Sequence, residues 1–233
     1  IAGVLTEQLG EQGDEQGGAA PEVARIGVRA YDDYLRGRAL LRERDEAGLA
    51  QARSLFEAVT EAHPDYAPAW ASLAITADVQ DDHEAAEAYA LHALELDPDS
   101  VDALTALGAV YRDTRRWQLA AAQFEKALAL DPDSAELLED YGEFLARTGR
   151  MDELLAVTAR GFDVDPYLAP LVEVYAIGLM SAGEAARAIE VLEAATRRSG
   201  WQWLSGALAM AFIQQGDEAA LRRLLDESPV PED

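Results

Sequence analysis

Cysteine and asparagine are absent from the 233-residue sequence, and lysine occurs only once, at Lys126. Without cysteine the chain can form no disulfide, no zinc site built from thiolates and no thiol nucleophile. The sequence also contains no run of about 18 apolar residues, which is the length that a membrane-spanning helix needs. We therefore predict that this sequence uses no thiol chemistry and that no part of it inserts into a bilayer.

Basic residues are scarce, with 19 arginines and lysines against 44 aspartates and glutamates and a net charge of −25. Nucleic-acid binding depends on basic side chains that neutralise phosphates, so this balance argues against a nucleic-acid partner. Anionic membrane surfaces are disfavoured for the same reason. The composition favours a solvated acidic surface, and adaptation to salt is a second explanation for it.

Prolines recur at a constant interval, since Pro64, Pro98, Pro132 and Pro166 are equally spaced along the chain. Proline disfavours helical backbone in the residue before it, so each of these positions is predicted to end a helix. Between the prolines, apolar residues recur every three or four positions, which is typical of amphipathic helices. The pattern predicts pairs of helices that repeat at the interval of the prolines.

The segment 101–134 shows this pattern most fully. Its small and apolar residues lie at Leu104, Leu107, Gly108, Tyr111, Ala120, Phe124, Ala127 and Pro132. In this order and spacing they resemble the tetratricopeptide repeat, whose period of about 34 residues is also the interval of the prolines. The resemblance implies an all-α solenoid of about six antiparallel helix pairs that forms a right-handed superhelix. It also implies a non-enzymatic scaffold that binds a protein or peptide partner.

Counting by this period divides the chain into an N-terminal segment, an array and a tail. Residues 1–20 are predicted to be a short helix and a glycine-rich flexible linker, and residues 228–233 a disordered tail. The array over 21–227 is expected to form one domain, because a solenoid spreads its core lengthwise. Its six units are predicted at about 21–66, 67–100, 101–134, 135–168, 169–200 and 201–227.

The fourth unit departs from the pattern in its second helix. Thr158 and Gly161 stand where the third unit has Phe124 and Ala127. Because the large ring is missing, we expect the stacking of this helix on the following unit to be altered, with looser packing as one form of the change.

The last unit is shifted by one residue and ends early, as expected of a capping unit. Trp201 and Trp203 flank the shift. Two indoles one residue apart cannot share a helix face, so one of them is predicted to be exposed. It either covers the end of the array or contacts a partner, and self-association through this unit is a further hypothesis.

Residues that often carry chemistry are not arranged for it. His63, His83 and His92 form no pair at helical spacing of the kind that binds a metal ion. The two DPDS strings resemble part of a calcium loop, but Ser100 and Ser134 within them are good helix N-caps, so we interpret both strings as turns. We predict no catalytic residue, no metal and no cofactor.

The first helix of each pair lines the groove in which tetratricopeptide arrays usually bind. The corresponding exposed positions are predicted to be Tyr31, Tyr34, Arg38, Ala71, Ile75, Thr105, Ala109, Arg112, Glu136, Glu139, Asp140 and Glu143. The last four form an acidic stripe on one helix face, which is either a solvated surface or a site for a basic partner segment. The sequence has no asparagine to clamp a C-terminal carboxylate, so a chaperone-tail-binding role is rejected.

A second functional hypothesis makes this chain the regulatory or oligomerisation arm of a larger bacterial signalling protein. The string AYDDYLRGRALL resembles the first repeat that follows TolB-like domains in some sensor and cyclase-like proteins. The chain begins with Ile1, which suggests a fragment whose catalytic part lies upstream. The compartment stays open: the cytoplasm is slightly favoured, and the periplasm would follow from an upstream signal or anchor.

Overall fold

The structure, a computed structural model, describes residues 19–199 and 204–227. Within these two ranges the chain forms twelve α-helices and no β-strand. The helix and linker predicted at the N-terminus, the exposed indole at Trp201 or Trp203, and the disordered tail all lie outside the described residues.

Short connections join the helices into six consecutive pairs, which confirms the predicted all-α helical repeat solenoid. Neighbouring helices joined by so few residues run antiparallel. The helices are α1 (Ala19–Glu43), α2 (Glu46–Ala62), α3 (Ala67–Val79), α4 (His83–Leu96), α5 (Val101–Asp113), α6 (Trp117–Leu130), α7 (Ala135–Thr148), α8 (Met151–Val164), α9 (Ala169–Ser181), α10 (Ala185–Ser199), α11 (Ser205–Gln215) and α12 (Glu218–Glu227).

The second helix of each of the first four pairs ends immediately before one of the regularly spaced prolines. The C-terminal capping residues are His63, Asp97, Asp131 and Asp165. Each still donates its backbone N–H to the carbonyl four residues earlier, at 2.8–2.9 Å. The chain then leaves the helical conformation, because the next residue is proline. The predicted role of the prolines is confirmed.

The turn inside each of the last five pairs also follows the repeat period. A residue with positive φ occupies this turn at Asp81, Arg115, Gly149, Gly183 and Gly216, with φ between 60° and 81°. The interval is constant as far as Gly183 and is one residue shorter before Gly216. Glycine adopts this conformation freely, whereas for a residue with a Cβ it costs about 1–2 kcal/mol. The last pair therefore repeats the same turn after a slightly shorter unit.

The chain divides into two compact units, Ile1–Val110 and Tyr111–Asp233. The first has a buried cluster that includes Tyr34, Phe56 and Tyr66. The second has a cluster built around residues such as Leu179 and Leu192. Separate clusters are expected where each helix pair packs only on its neighbours. The right-handed sense of the superhelix stays a prediction.

The looser stacking predicted for the fourth pair is wrong. Thr158 on α8 is fully buried, and its hydroxyl donates to the Leu154 carbonyl at 2.7 Å. A Cβ placed on Gly161 would lie 3.0 Å from Leu171 Cδ2 and 3.1 Å from Leu138 Cβ. Gly161 is therefore closely packed, and a methyl group there would require its neighbours to shift by a few tenths of an ångström.

Candidate partner-binding surface

In the first unit the predicted surface begins with a group of aromatic rings. The Tyr34 ring lies 6.2 Å from that of Tyr31, 5.5 Å from that of Tyr66 and 6.1 Å from that of Phe56, measured between ring centres. Tyr34 is buried, contrary to the prediction, and Tyr31 is half-buried. Burial raises the pKa of the Tyr34 hydroxyl above its ordinary value, while the charge of Arg38 acts in the opposite direction. Tyr31 therefore offers more surface to a ligand than Tyr34 does.

Arg38 links this aromatic group to an acidic residue on α5. Its Nη1 donates to the Tyr34 hydroxyl at 3.2 Å and to a carboxylate oxygen of Asp102. The Arg38 and Asp102 side chains are 29% and 33% exposed. Burial disfavours the charged guanidinium, but Asp102 and Tyr34 raise the pKa of Arg38 above its ordinary value. The result is a half-buried ion pair with one charge of each sign.

The predicted positions on α3 and the first part of α5 are mostly covered. Ala71, Thr105 and Ala109 are buried, so their predicted exposure is wrong, and only Ile75 is half-buried. Most residues of α3 are buried. A first helix in a stack has neighbours on several sides, so its covered face is wider than the stripe that a single pair needs. The buried Thr105 hydroxyl has no hydrogen-bond partner.

In the second compact unit, which begins at Tyr111, Arg112 at the end of α5 is surrounded by carboxylates. Its side chain is only 6% exposed, contrary to the prediction. The guanidinium donates to Asp140 Oδ1 at 2.8 Å, lies 3.2 Å from Glu143 Oε2, and forks onto both oxygens of Asp113 at 3.1 Å. Burial acts to lower the pKa of Arg112, but these carboxylates, Asp140 above all, raise it well above its ordinary value. The charge is thus retained in a covered site.

The acidic stripe on α7 is a paired network and not a uniformly solvated face. Arg147, which is 51% exposed, lies 3.2 Å from Asp113 and 3.7 Å from Glu143. Glu139 is buried, Glu136 is half-buried, and both have interactions of their own. The network that these distances define consists of Arg112, Asp113, Asp140, Glu143 and Arg147. Three carboxylates against two guanidiniums give it a formal charge of −1, and Glu136 and Glu139 add two further carboxylates on α7.

The position of Glu143 on α7 has equivalents on α9 and α11, and apolar residues occupy both of them. Counting by the repeat interval places Ile177 and then Met210 at the position of Glu143. Ile177 is half-buried, whereas Met210 and the nearby Ile213 are 62% and 64% exposed. Gln214 fixes α11 to α9 by donating from Nε2 to the Met180 carbonyl at 2.8 Å.

Met210 and Ile213 were not among the residues predicted for the groove. The signal that marks them is the absence of charge from α11, in a chain in which 27% of residues are charged. Residues three positions apart share a helix face, so Met210 and Ile213 form one small exposed apolar surface on this uncharged helix.

Other types of site find little support in the parts of the chain that the structure describes. Among residues 19–199 and 204–227, no three or more acidic or histidine side chains are grouped so that they could hold a metal ion. Across the same residues, no helix combines the length and the apolar character needed to cross a bilayer.

Comparison with known families identifies the repeats directly. Two tetratricopeptide-repeat profiles match the sequence, one over residues 34–101 and the other over residues 101–134. No curated protein matches it significantly. The TolB-like relationship of the first repeat is not shown by these matches and stays a prediction.

Solved structures that resemble the chain include several repeat proteins. The structure of Pseudomonas aeruginosa pilF has 24% identity and a TM-score of 0.60, over 69% of this chain and 73% of that one. A thermophilic TPR protein of Thermus thermophilus has 18% identity and a TM-score of 0.64, over 79% and 99%. YrrB, a TPR protein with an unusual peptide-binding site, has 20% identity and a TM-score of 0.52, over 73% and 89%. At these identities the likeness shows the fold.

Proposed function

We propose that this chain, whose residues 34–134 match tetratricopeptide-repeat profiles, is a non-enzymatic scaffold that binds a peptide or helix of a partner protein. The fold itself suggests a protein–protein interaction scaffold. In each compact unit the first helices supply the binding face, which is formed by α1 and α3 in the first unit and by α7, α9 and α11 in the second. The peptide-binding site described for the structurally similar YrrB is a precedent for this use of the fold.

The observation that carries the proposal is the exposure of Met210 and Ile213 at the register of the first helices. Burying each of these two side chains on a partner would contribute about 1–2 kcal/mol, because part of each is already covered. An amphipathic partner segment can place apolar residues against α9 and α11 in this way.

Charge gives the partner a second feature. The network around Arg112, taken together with Glu136 and Glu139 on the same helix α7, has a formal charge of −3, and the whole chain carries −25. Such a field accelerates the approach of a basic segment and repels an acidic one. We therefore propose a partner whose segment combines apolar residues with at least one Arg or Lys near Glu143.

The apolar contact is tested with a matched pair of substitutions. Binding partners are captured from a lysate of the source organism with the whole chain, identified by mass spectrometry, and then titrated as purified proteins. Met210→Glu should weaken binding by about tenfold or more, because a charge would have to be buried. Leu119→Glu is the control, since Leu119 is also exposed but lies on the second helix α6. Equal affinities for the two variants would contradict the proposed face.

The acidic contact is tested by the salt dependence of the same affinity. Glu143→Gln should weaken binding about two- to fivefold at low salt, which is the range for a partly exposed ion pair. The effect should fade as sodium chloride rises from about 50 to about 300 mM, since salt screens such pairs. Glu190→Gln, on the exposed surface of α10, is the control. If Glu143→Gln leaves the salt dependence unchanged, the preference for a basic partner is wrong.

A further inference from the structure

Helix α1 is broken near its start. Gly27 has φ 81° and ψ 159°, which is not helical, so residues 19–26 form a separate helical segment before the first helix of the first pair. This backbone region is accessible almost only to glycine. A Cβ at Gly27 would meet no atom within 4 Å, so the conformation and not crowding makes glycine necessary here. We call residues 19–26 the strap.

The strap lies against the part of the candidate surface that contains Tyr31 and Tyr34, which we call the tyrosine end. Ile26 is buried in the same cluster as Tyr34 and Tyr66. Arg25 donates from Nη2 to the Asp65 carbonyl at 2.9 Å, and its guanidinium carbon lies 5.7 Å from the centre of the Tyr66 ring. The strap thus packs on the buried cluster of the first compact unit that also contains Tyr34 and Tyr66.

Burial raises the pKa of the Tyr66 hydroxyl, and hydrogen bonding to the Glu22 side chain of the strap raises it further. The Oε2 atom of Glu22 is buried without a hydrogen-bond partner. A buried oxygen left unsatisfied opposes closure, because that oxygen would be hydrated if the strap opened. The fit of the strap around this oxygen is therefore incomplete.

We propose that the strap is an internal occupant of the tyrosine end, hinged at Gly27, and that a partner helix displaces it by presenting the same chemistry. That chemistry is a carboxylate for the Tyr66 hydroxyl and an aliphatic side chain four positions later, as in Glu22 and Ile26. Displacement rests on the proposed function, because it regulates binding only if this face binds partners. The hinged strap itself does not depend on any partner.

While the strap is closed, the tyrosine end is not accessible to a competing segment, so only molecules with an open strap can bind it. The apparent affinity of a competing segment falls by the fraction of molecules in which the strap is open. A substitution that weakens the strap should therefore strengthen binding of a segment with the same pattern, without any change in the surface beneath it.

Hydrogen exchange of the whole chain tests the hinge. Amides of residues 22–26 should exchange at least about tenfold faster than those of residues 30–40, because a segment with few tertiary contacts opens locally. Ile26→Ala should accelerate the strap amides further, whereas Val28→Ala, at an exposed aliphatic residue just beyond the hinge, should not. Equal exchange of residues 22–26 and 30–40 in the unsubstituted chain would overturn the strap.

A second variant releases the strap without removing a buried side chain. Gly27→Ala disfavours the broken conformation and should continue α1 as one helix, which carries Glu22 and Ile26 away from Tyr66. Faster exchange of residues 22–26 is expected here too. A strap that stays as protected as before would contradict the hinge at Gly27.

Recognition is tested with a defined probe, a capped and labelled peptide of residues 19–27. By fluorescence anisotropy it should bind the Ile26→Ala and Gly27→Ala chains about tenfold more tightly than the unsubstituted chain. The same peptide carrying Glu22→Gln should bind these variants more weakly. Rapid strap exchange together with equal or absent peptide binding would overturn the displacement claim. Failure to capture a partner from the lysate would leave the exchange result unaffected, so the two proposals fail separately.

Discussion

Each of the two compact units contains an arginine among the predicted groove residues. The two arginines differ in how far they are buried and in which groups they contact. Arg38 in the first unit is 29% exposed and faces one carboxylate and one tyrosine. Arg112 in the second unit is 6% exposed and contacts three carboxylates. The half-buried pair can exchange its contacts with water or a ligand. The buried network cannot do so without leaving charges unpaired.

From this difference we infer that the Arg38 region takes part in binding, whereas the Arg112 network supports the packing of the helices. The Arg38 end is lined with tyrosines, is overlain by the strap and contains no large excess of charge, so we expect it to rearrange when a partner binds. The Arg112 network holds α5 and α7 together, and the exposed residues of α9 and α11 in the same unit lie beyond it at the same register. Taken separately, the surface of the first compact unit is accordingly the adaptable one and that of the second is preformed.

The strongest test of the contrast is Arg112→Met. The substitution leaves three carboxylates without their common partner, and we expect a loss of about 3–5 kcal/mol in the free energy of unfolding. Urea unfolding followed by circular dichroism measures this loss. Arg147→Met, at a side chain that is half exposed, is the control and should cost less than about 1 kcal/mol. Similar losses for both variants would mean that the network is not a buried support.

Arg38→Met should have a smaller effect than Arg112→Met. It removes one hydrogen bond to Tyr34 and one ion pair with Asp102, both partly open to water. We expect a loss of about 1–2 kcal/mol, at the lower end for hydrogen bonds to charged groups because water replaces part of the interaction. The same urea titration applies. A loss as large as that of Arg112→Met would remove the distinction between the two ends.

High pH should weaken the first unit through its tyrosines. Burial raises the pKa of Tyr34, and burial together with the hydrogen bond to Glu22 raises the pKa of Tyr66. An unfolded tyrosine has a pKa of about 10, so above that pH the folded chain binds more protons than the unfolded chain does. Stability should therefore be complete below about pH 10 and decrease above it, by at most about 1.4 kcal/mol per pH unit for each tyrosine.

Urea midpoints at about pH 8 and about pH 11 measure this decrease. Tyr34→Phe combined with Tyr66→Phe should flatten the pH dependence, whereas Tyr167→Phe, at an exposed ring, should not. Arg112 keeps its proton throughout this range, since the pKa of its guanidinium is raised well above an already high ordinary value. A decrease that is unaffected by the double substitution would show that other groups cause it.

The regular features of the fold could be predicted from the sequence, because they depend on local backbone chemistry. Pro98 and Pro132 end helices because of their own backbone restriction, and their constant interval placed the helix pairs correctly. Departures from the period were harder to interpret. The small residues Thr158 and Gly161 indicated a change in packing, but whether a gap opens or the helices approach depends on neighbours such as Leu171.

The candidate surface was predicted less well, because periodicity indicates a face and not how much of it is covered. Arg112 and Glu139 were expected to be exposed, yet both are buried once the neighbouring helices are in place. The break at Gly27 was also unforeseen, since glycine in a helical pattern is compatible with either a continuous or a broken helix. Met210 and Ile213 carried a usable signal in the uncharged sequence of α11.

The most direct test of the proposed scaffold is a hydrogen-exchange comparison of the whole chain with and without its captured partner. We predict slower exchange in the first helices α9 and α11, around Ile177, Met210 and Ile213, and little change in the second helices α10 and α12. Protection confined to α10 and α12, or none in any helix of this unit, would contradict the claim that the first helices form the binding face.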